Sequence, residues 1–215
     1  MGNSYIQPLF PIPLGIFDLS QEIVPKEMKA LCDYAENGNN MRLNIYKNLS
    51  SSDTYIFKDN CGLSLRSTIE KYVKHYAHEV LCYHNNVNFY ITQSWLNINP
   101  KYTSHHRHKH PNSIISGVFY VKTEHNSGNI IFWKDNPKTG GLELSLHEKL
   151  NEFSWTKFSL NPQQYCLILF PSSLEHSVDE NMGIKNRISI SFNTFVKGIV
   201  SVDPEVTTLT TLLLS

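Results

Sequence analysis

Four of the chain's ten histidines lie within six residues: His105, His106, His108 and His110. Neutral imidazole is the commonest protein ligand for zinc, copper, iron and nickel. In an extended strand, residues two apart project to the same side. His108 and His110 can therefore aim two rings at one cation, and His106 can join that row. The same run also reads as a solvated loop with adventitious zinc affinity, much like a short tag.

Two later segments bear on that choice. Leu167-Ile168-Leu169-Phe170-Pro171 has the pattern of a buried strand ended by proline, and a short polar turn leads to His176-Ser177-Val178. Taken alone, His176 also reads as a structural or surface histidine. Eleven residues on comes Arg187-Ile188-Ser189-Ile190-Ser191-Phe192-Asn193. Ile188, Ile190 and Phe192 fall on one face of this strand, and Arg187, Ser189, Ser191 and Asn193 on the other. Arg187 is one of four arginines against fifteen lysines. Its planar fork matches a carboxylate with two parallel hydrogen bonds, and the Ser189 hydroxyl can donate to the same anion. A polar side turned to solvent is the competing reading of this strand.

The elements that must position these residues are legible in part. Gln7 to Leu14 is apolar and proline-rich and reads as an extended edge strand or arm, because proline cannot donate within an inner ladder. Pro25 to Ala35 is a predicted helix, with proline at its start and Met28, Leu31 and Cys32 on one face. Residues 36–62, rich in Asn, Ser and Asp, read as loops. A longer helix is predicted from about Ser64 to Tyr83, with Leu65, Ile69, Tyr72, Val73, Tyr76, Val80 and Leu81 mostly three or four apart. After Asn86 the pattern turns to strand: Val87 to Ile98, Ile114 to Lys122, Asn129 to Trp133, Tyr165 to Phe170 and Arg187 to Val196. Turn signals such as Asn126-Ser127-Gly128 and Asn161-Pro162 separate them. Short strands after two helices imply an α+β chain with a β-sandwich or barrel core.

Composition narrows the function class. The 215 residues carry no formal net charge, with 40% hydrophobic and 18% charged residues. That suits one well-buried core and lacks the basic field of a general nucleic-acid binder. Cys32, Cys61, Cys82 and Cys166 form no CxxC pair, which favours a reducing, cytoplasmic setting. No apolar run reaches membrane-span length, and no signal peptide is legible. The leucine-rich end, Leu209 to Leu214, reads as a docking element or an oligomer contact and leaves a homodimer open.

In their order and spacing, these pieces resemble the iron(II)/2-oxoglutarate-dependent oxygenase superfamily, in particular a bacterial and phage branch. The resemblance rests on His108-Lys109-His110-Pro111-Asn112-Ser113, Ser116-Gly117-Val118-Phe119-Tyr120-Val121, Phe170-Pro171-Ser172 to His176, and Asn186 to Asn193. Trp95-Leu96-Asn97 resembles the strand before the first ligands. The likeness covers roughly residues 90–196, with a looser one at Leu9-Phe10-Pro11. It implies a double-stranded β-helix, the jelly-roll core, supported by N-terminal helices. On that basis residues 1–215 form a single oxygenase domain. Residues 1–85 are the arm and supporting helices, 86–200 the jelly roll and 201–215 the tail.

The resemblance also implies a ligand set. His108, His110 and His176 would hold Fe(II), Arg187 and Ser189 would bind the distal carboxylate of the cosubstrate 2-oxoglutarate, and Asn97 and Tyr120 would face the same pocket. The usual triad is two histidines and one carboxylate; here His110 stands at the acid position. Three histidines hold the metal, or a carboxylate such as Asp135 or Glu124 joins, or the ligand pair is His106 and His108. Trp95, Phe132 and Trp133 would wall the site or pack the core. The implied activity is hydroxylation with release of succinate and carbon dioxide. The competing readings are a three-histidine cupin-like dioxygenase without 2-oxoglutarate, a non-catalytic metal-binding jelly roll, and a degenerate oxygenase fold kept for protein contacts. The primary substrate is not legible; loops 36–62 and 134–158 are expected to select it.

Overall fold

Proline at the first helical turn and buried residues every three or four positions set the first helix, α1 (Pro25–Glu36), which buries Met28, Leu31 and Ala35. The second helix, α2 (Leu63–His75), buries Leu65, Ile69 and Val73. No side chain of its own caps α2. The Glu27 carboxylate of α1 accepts the backbone N–H groups of Ser64 and Leu65 at 2.9 and 3.0 Å instead, so one helix caps the other. The expected helix to Tyr83 changes pitch at Tyr76: residues Tyr76–Val80 form a π-helical turn, and Cys82 has a positive φ.

The computed structural model describes residues 4–58, 62–134, 148–149 and 151–198. Among these residues eleven strands form two antiparallel sheets. They are β1 (Gly15–Asp18), β2 (Met41–Leu43), β3 (Leu49–Ser51), β4 (Val87–Asn99), β5 (His105–His108), β6 (Ile115–Lys122), β7 (Ile130–Trp133), β8 (Lys157–Leu160), β9 (Cys166–Pro171), β10 (His176–Val178) and β11 (Arg187–Gly198). The larger sheet runs β1-β9-β6-β11-β4-β3-β2, the smaller β5-β10-β7-β8. The chain is thus α+β with a jelly-roll core, as expected. Both helices lie against the larger sheet, α1 near β4 and β6 and α2 near β4.

Several expectations shift. The proline-rich residues 7–14 make no ladder; the edge strand is β1, just after them, pairing with β9. The Tyr76 hydroxyl donates to the Pro13 carbonyl at 2.8 Å and ties the arm to the helical layer. The stretch expected to be loop, 36–62, contains the β2–β3 hairpin. Its strands are short and lack alternation, and they are strands because Leu49 and Ser50 pair with Ile98 and Asn97 of β4. Cys32, Cys82 and Cys166 are free thiols. Cys61, Asp135, most of loop 134–158 and the leucine-rich tail lie outside the described residues. Among the described residues, no helix is long and apolar enough to cross a membrane.

The two faces of the central strands do different work. Ile188, Ile190 and Phe192 of β11 pack with Leu96 and Ile98 of β4 and with the buried residues of both helices. A second apolar cluster, with Val118, Tyr120, Ile130, Phe132, Ile168 and Phe170, draws on β6, β7 and β9 and so fills part of the space between the sheets. The rest of that interior is polar, lined by β4 and β11.

Gly117 of β6 is squeezed on the helix-facing side: a Cβ there would stand 2.2 Å from Cζ of Phe192 and 2.8 Å from Cδ2 of Leu169. Gly117→Ala is expected to destabilise the fold by about 1–3 kcal/mol through overpacking. Urea unfolding monitored by tryptophan fluorescence checks it, and an unchanged midpoint would refute it.

Candidate functional site

Strand pairing brings the distant histidines together. β10 pairs with β5 so that His176 stands directly opposite His108. Their ring centroids are 4.3 Å apart. His110 reaches the same place from just beyond the end of β5, where its backbone N–H donates to the Ser172 carbonyl at 3.1 Å. Its ring lies 5.0 Å from those of both His108 and His176. Each of the three offers a ring nitrogen, and these atoms all lie within 4.8 Å of one another.

The donor chemistry fits a divalent cation. His108 Nδ1 lies 2.8 Å from the His106 carbonyl, and His176 Nδ1 lies 3.0 Å from the Leu174 carbonyl. A carbonyl can only accept, so each Nδ1 carries the proton and each Nε2 presents a lone pair, the outer-shell arrangement of metal-binding imidazole. Burial holds the rings neutral. It lowers the pKa of His108, takes His110 to about 4, and takes His176, the most deeply buried, to about 3 with repulsion from His108 adding to the shift.

Among the described residues no carboxylate completes the group. Among the described residues, the only sets of three His, Cys, Asp or Glu side chains able to hold a cation are made of histidines alone. Glu124, raised as a candidate acid, is spent elsewhere: its Oε1 accepts the backbone N–H of Lys185. Asp135 lies outside the described residues. His106 does not join the row of three; it is exposed and its ring stacks on Tyr46 at 5.1 Å.

Arg187 opens into the same cavity as the three histidines. It is 2% exposed. One guanidinium nitrogen donates to the Gly128 carbonyl at 2.9 Å and another to Asn99 Oδ1 at 3.0 Å. Gly128 can offer that carbonyl because its φ of +89° suits glycine, and a Cβ there would meet the Asp179 carbonyl at 2.4 Å. Nε of Arg187 and Nδ2 of Asn99 have no partner. Among the described residues no carboxylate pairs with this buried cation. A buried guanidinium with an unused donor and no counter-charge fits an anionic carboxylate ligand.

The remaining expected residues line the cavity. Ser189 sits two places along β11 from Arg187. The Tyr120 ring lies 5.9 Å from the guanidinium carbon. Asn97 is held between two serines, accepting from Ser50 Oγ and donating to Ser191 Oγ. Trp95 also lines the cavity, its ring 5.8 Å from that of His110. Phe132 and Trp133 do not line it: Phe132 packs in the apolar cluster between the sheets, and the Trp133 indole donates to Ser177 Oγ while Arg107 lies over its face. Asn99 was missed by sequence reasoning. The alternation Trp95, Asn97, Asn99 against Leu96 and Ile98 was the signal that could have found it.

The jelly roll thus holds three histidines and a buried arginine in one cavity between its sheets. Residues 93–193 match the protein family described as "Putative 2OG-Fe(II) oxygenase". Over that stretch the chain resembles the 2OG-Fe(II) oxygenases. Solved structures agree in fold. A 2OG-Fe(II) oxygenase family protein from Burkholderia pseudomallei superposes with a TM-score of 0.57 at 10% identity, covering 84% of this chain and 83% of its own. A prolyl-4-hydroxylase from Pseudomonas putida gives 0.53 at 12%, covering 85% and 92%. HygX from Streptomyces hygroscopicus, solved with nickel, 2-oxoglutarate and hygromycin B, gives 0.54 at 8%, covering 85% and 82%. No curated relative matches the chain.

The neutral histidines make a pH prediction. An ordinary histidine titrates near 6.5. With folded values near 4 and 3 for His110 and His176, the unfolded chain takes up protons first as pH falls. Stability of the metal-free protein therefore declines between about pH 6.5 and 4, and rises again with pH. His176 alone contributes a slope approaching ~1.4 kcal/mol per pH unit in that window. Urea unfolding in chelator at pH 7, 6 and 5 checks this, and a flat profile would contradict it.

Proposed function

We propose that the chain is a hydroxylase-type, Fe(II)- and 2-oxoglutarate-dependent dioxygenase, acting as one domain over residues 1–215. In this reading His108, His110 and His176 hold the iron, Arg187 and Ser189 take the distal carboxylate of 2-oxoglutarate, and Asn97 and Tyr120 wall the cosubstrate pocket. The observation that carries it is the buried, partly unpaired Arg187 in the same cavity as three converging imidazoles.

When bound, Fe(II) and 2-oxoglutarate supply oxygen activation, with succinate and carbon dioxide as coproducts and one oxygen atom delivered to the substrate. The chain's residues make that chemistry selective. His108 and His176 keep their protons on Nδ1, against the His106 and Leu174 carbonyls, so that Nε2 remains free to coordinate. Arg187, anchored by Gly128 and Asn99, orients a dicarboxylate with its free N–H and its charge. Val118, Ile130 and Phe170 line the same cavity and limit water. An adjoining open groove of about 650 Å³ shares Trp95, His105 and His110 with the site and is lined on its far side by the β2–β3 hairpin. That groove is the place for the primary substrate, next to the metal ligands and in the size range of a small-molecule site. In this reading the β2–β3 hairpin, within residues 36–62, contacts the substrate.

One observation favours a second reading. Three neutral histidines leave the metal one unit more positive than the usual triad, which suits a dioxygenase that works without 2-oxoglutarate. Succinate release separates the two. Anaerobic protein with Fe(II) and 2-oxoglutarate is expected to show a weak visible charge-transfer band. Arg187→Ala is expected to weaken 2-oxoglutarate binding about 30- to 1,000-fold, as loss of a buried charged partner does. His176→Ala is expected to lower iron content at least about tenfold. Full 2-oxoglutarate affinity in the arginine variant, or oxygen consumption without succinate, would overturn the first reading.

A further inference from the structure

A second group of imidazoles shares one member with the first. His105, His106 and His108 also offer ring nitrogens within 4.8 Å of one another. Their ring centroids stand 4.8, 5.0 and 4.6 Å apart for the pairs 105–106, 106–108 and 105–108. A strand alone would send His105 and His106 to opposite faces. Here their planes are only 20° apart. His106 is held from its other side by Tyr46, whose ring stacks on it at 18°. Tyr46 lies in the turn of the β2–β3 hairpin, so a separate element of the fold orders the exposed member. His105 and His106 face the open groove, while His105 and His108 face the inner cavity. The outer group therefore sits across the boundary between the two.

We infer that His105, His106 and His108 form a second site for a borderline divalent cation, zinc(II) by preference, and that this site and the inner triad exclude each other. Three imidazoles with water in a fourth position suit zinc. Ligands 2.0–2.1 Å from a tetrahedral zinc stand roughly 3.4 Å apart, so ring nitrogens within 4.8 Å of one another close up by at most about 1.4 Å. His106 is exposed and can make that move by sliding along the Tyr46 ring it stacks on. Exclusion follows from His108. Its Nδ1 is committed to the His106 carbonyl, and the one remaining nitrogen serves one metal at a time. Zinc at the outer site thus draws His108 away from His110 and His176. That consequence rests on the iron reading given above; the outer site itself does not.

The test uses zinc(II) alone, on the full chain, read by calorimetry and by metal content after gel filtration. In His110→Ala the inner group has lost a ligand. This variant is expected to keep one zinc per chain, and adding His106→Ala is expected to weaken zinc binding at least about tenfold. Absence of zinc from His110→Ala, with folding confirmed by circular dichroism, would overturn the site, as would identical affinity with and without His106. A second arm follows iron displacement. In otherwise unaltered protein, His106→Ala is expected to raise the zinc concentration that halves iron content, because direct competition at the inner triad is then the only route. An unchanged value would overturn the exclusion. Failure of the unaltered chain to bind iron would count against the proposed function while leaving the zinc arms decisive.

Discussion

The arrangement depends on a buried charge. Arg187 sits between two sheets with its guanidinium out of water and, among the described residues, no carboxylate to answer it. An uncompensated ion in such a place costs several kcal/mol. The protein meets part of that cost with two neutral acceptors, the Gly128 carbonyl and Asn99 Oδ1. Both are supplied at some structural expense: a left-handed glycine in one case, and in the other an asparagine whose amide nitrogen is itself left without a partner. Neutral acceptors orient the cation without quenching it. Its field therefore remains available to an anion in the cavity.

The same interior treats the histidines in the opposite sense. Burial that keeps Arg187 charged only at a cost keeps His108, His110 and His176 uncharged. Protonation of one would also repel the next at centroid distances of 4.3 to 5.0 Å. Neutral imidazoles can coordinate without a prior deprotonation step, and those of His108 and His176 hold their protons against backbone carbonyls. A cation and a set of lone pairs thus share one cavity.

The sandwich makes this division by dedicating opposite faces of the same strands. β4 and β11 turn isoleucines and leucine toward the helices and asparagines, serines and Arg187 toward the interior. β6 and β9 fill the neighbouring part of that interior with apolar side chains. Packing energy accumulates on one side of the central strands, and the other is left free for chemistry.

By itself the sequence determined the long elements and the chemical types at the site. The period of 3.6 in α1 and α2 and the strict alternation in β11 are local properties, and so is the presence of His108, His110, His176 and Arg187 in that order. The small sheet was much less legible. β5, β8 and β10 are three or four residues long, and a strand that short is stabilised by its neighbours rather than by its own pattern. The same holds for the β2–β3 hairpin, whose Tyr46 and Ser50 touch site residues His106 and Asn97. Only the tertiary structure brought His176 and His110 to His108, because that depends on the register between β10 and β5 and on where β5 ends. It also decided that no described acid joins them, since Glu124 is drawn to the Lys185 N–H by a turn that no local pattern encodes. Side-chain type is written in the chain, but which side chains share a cavity is set by long-range pairing between strands.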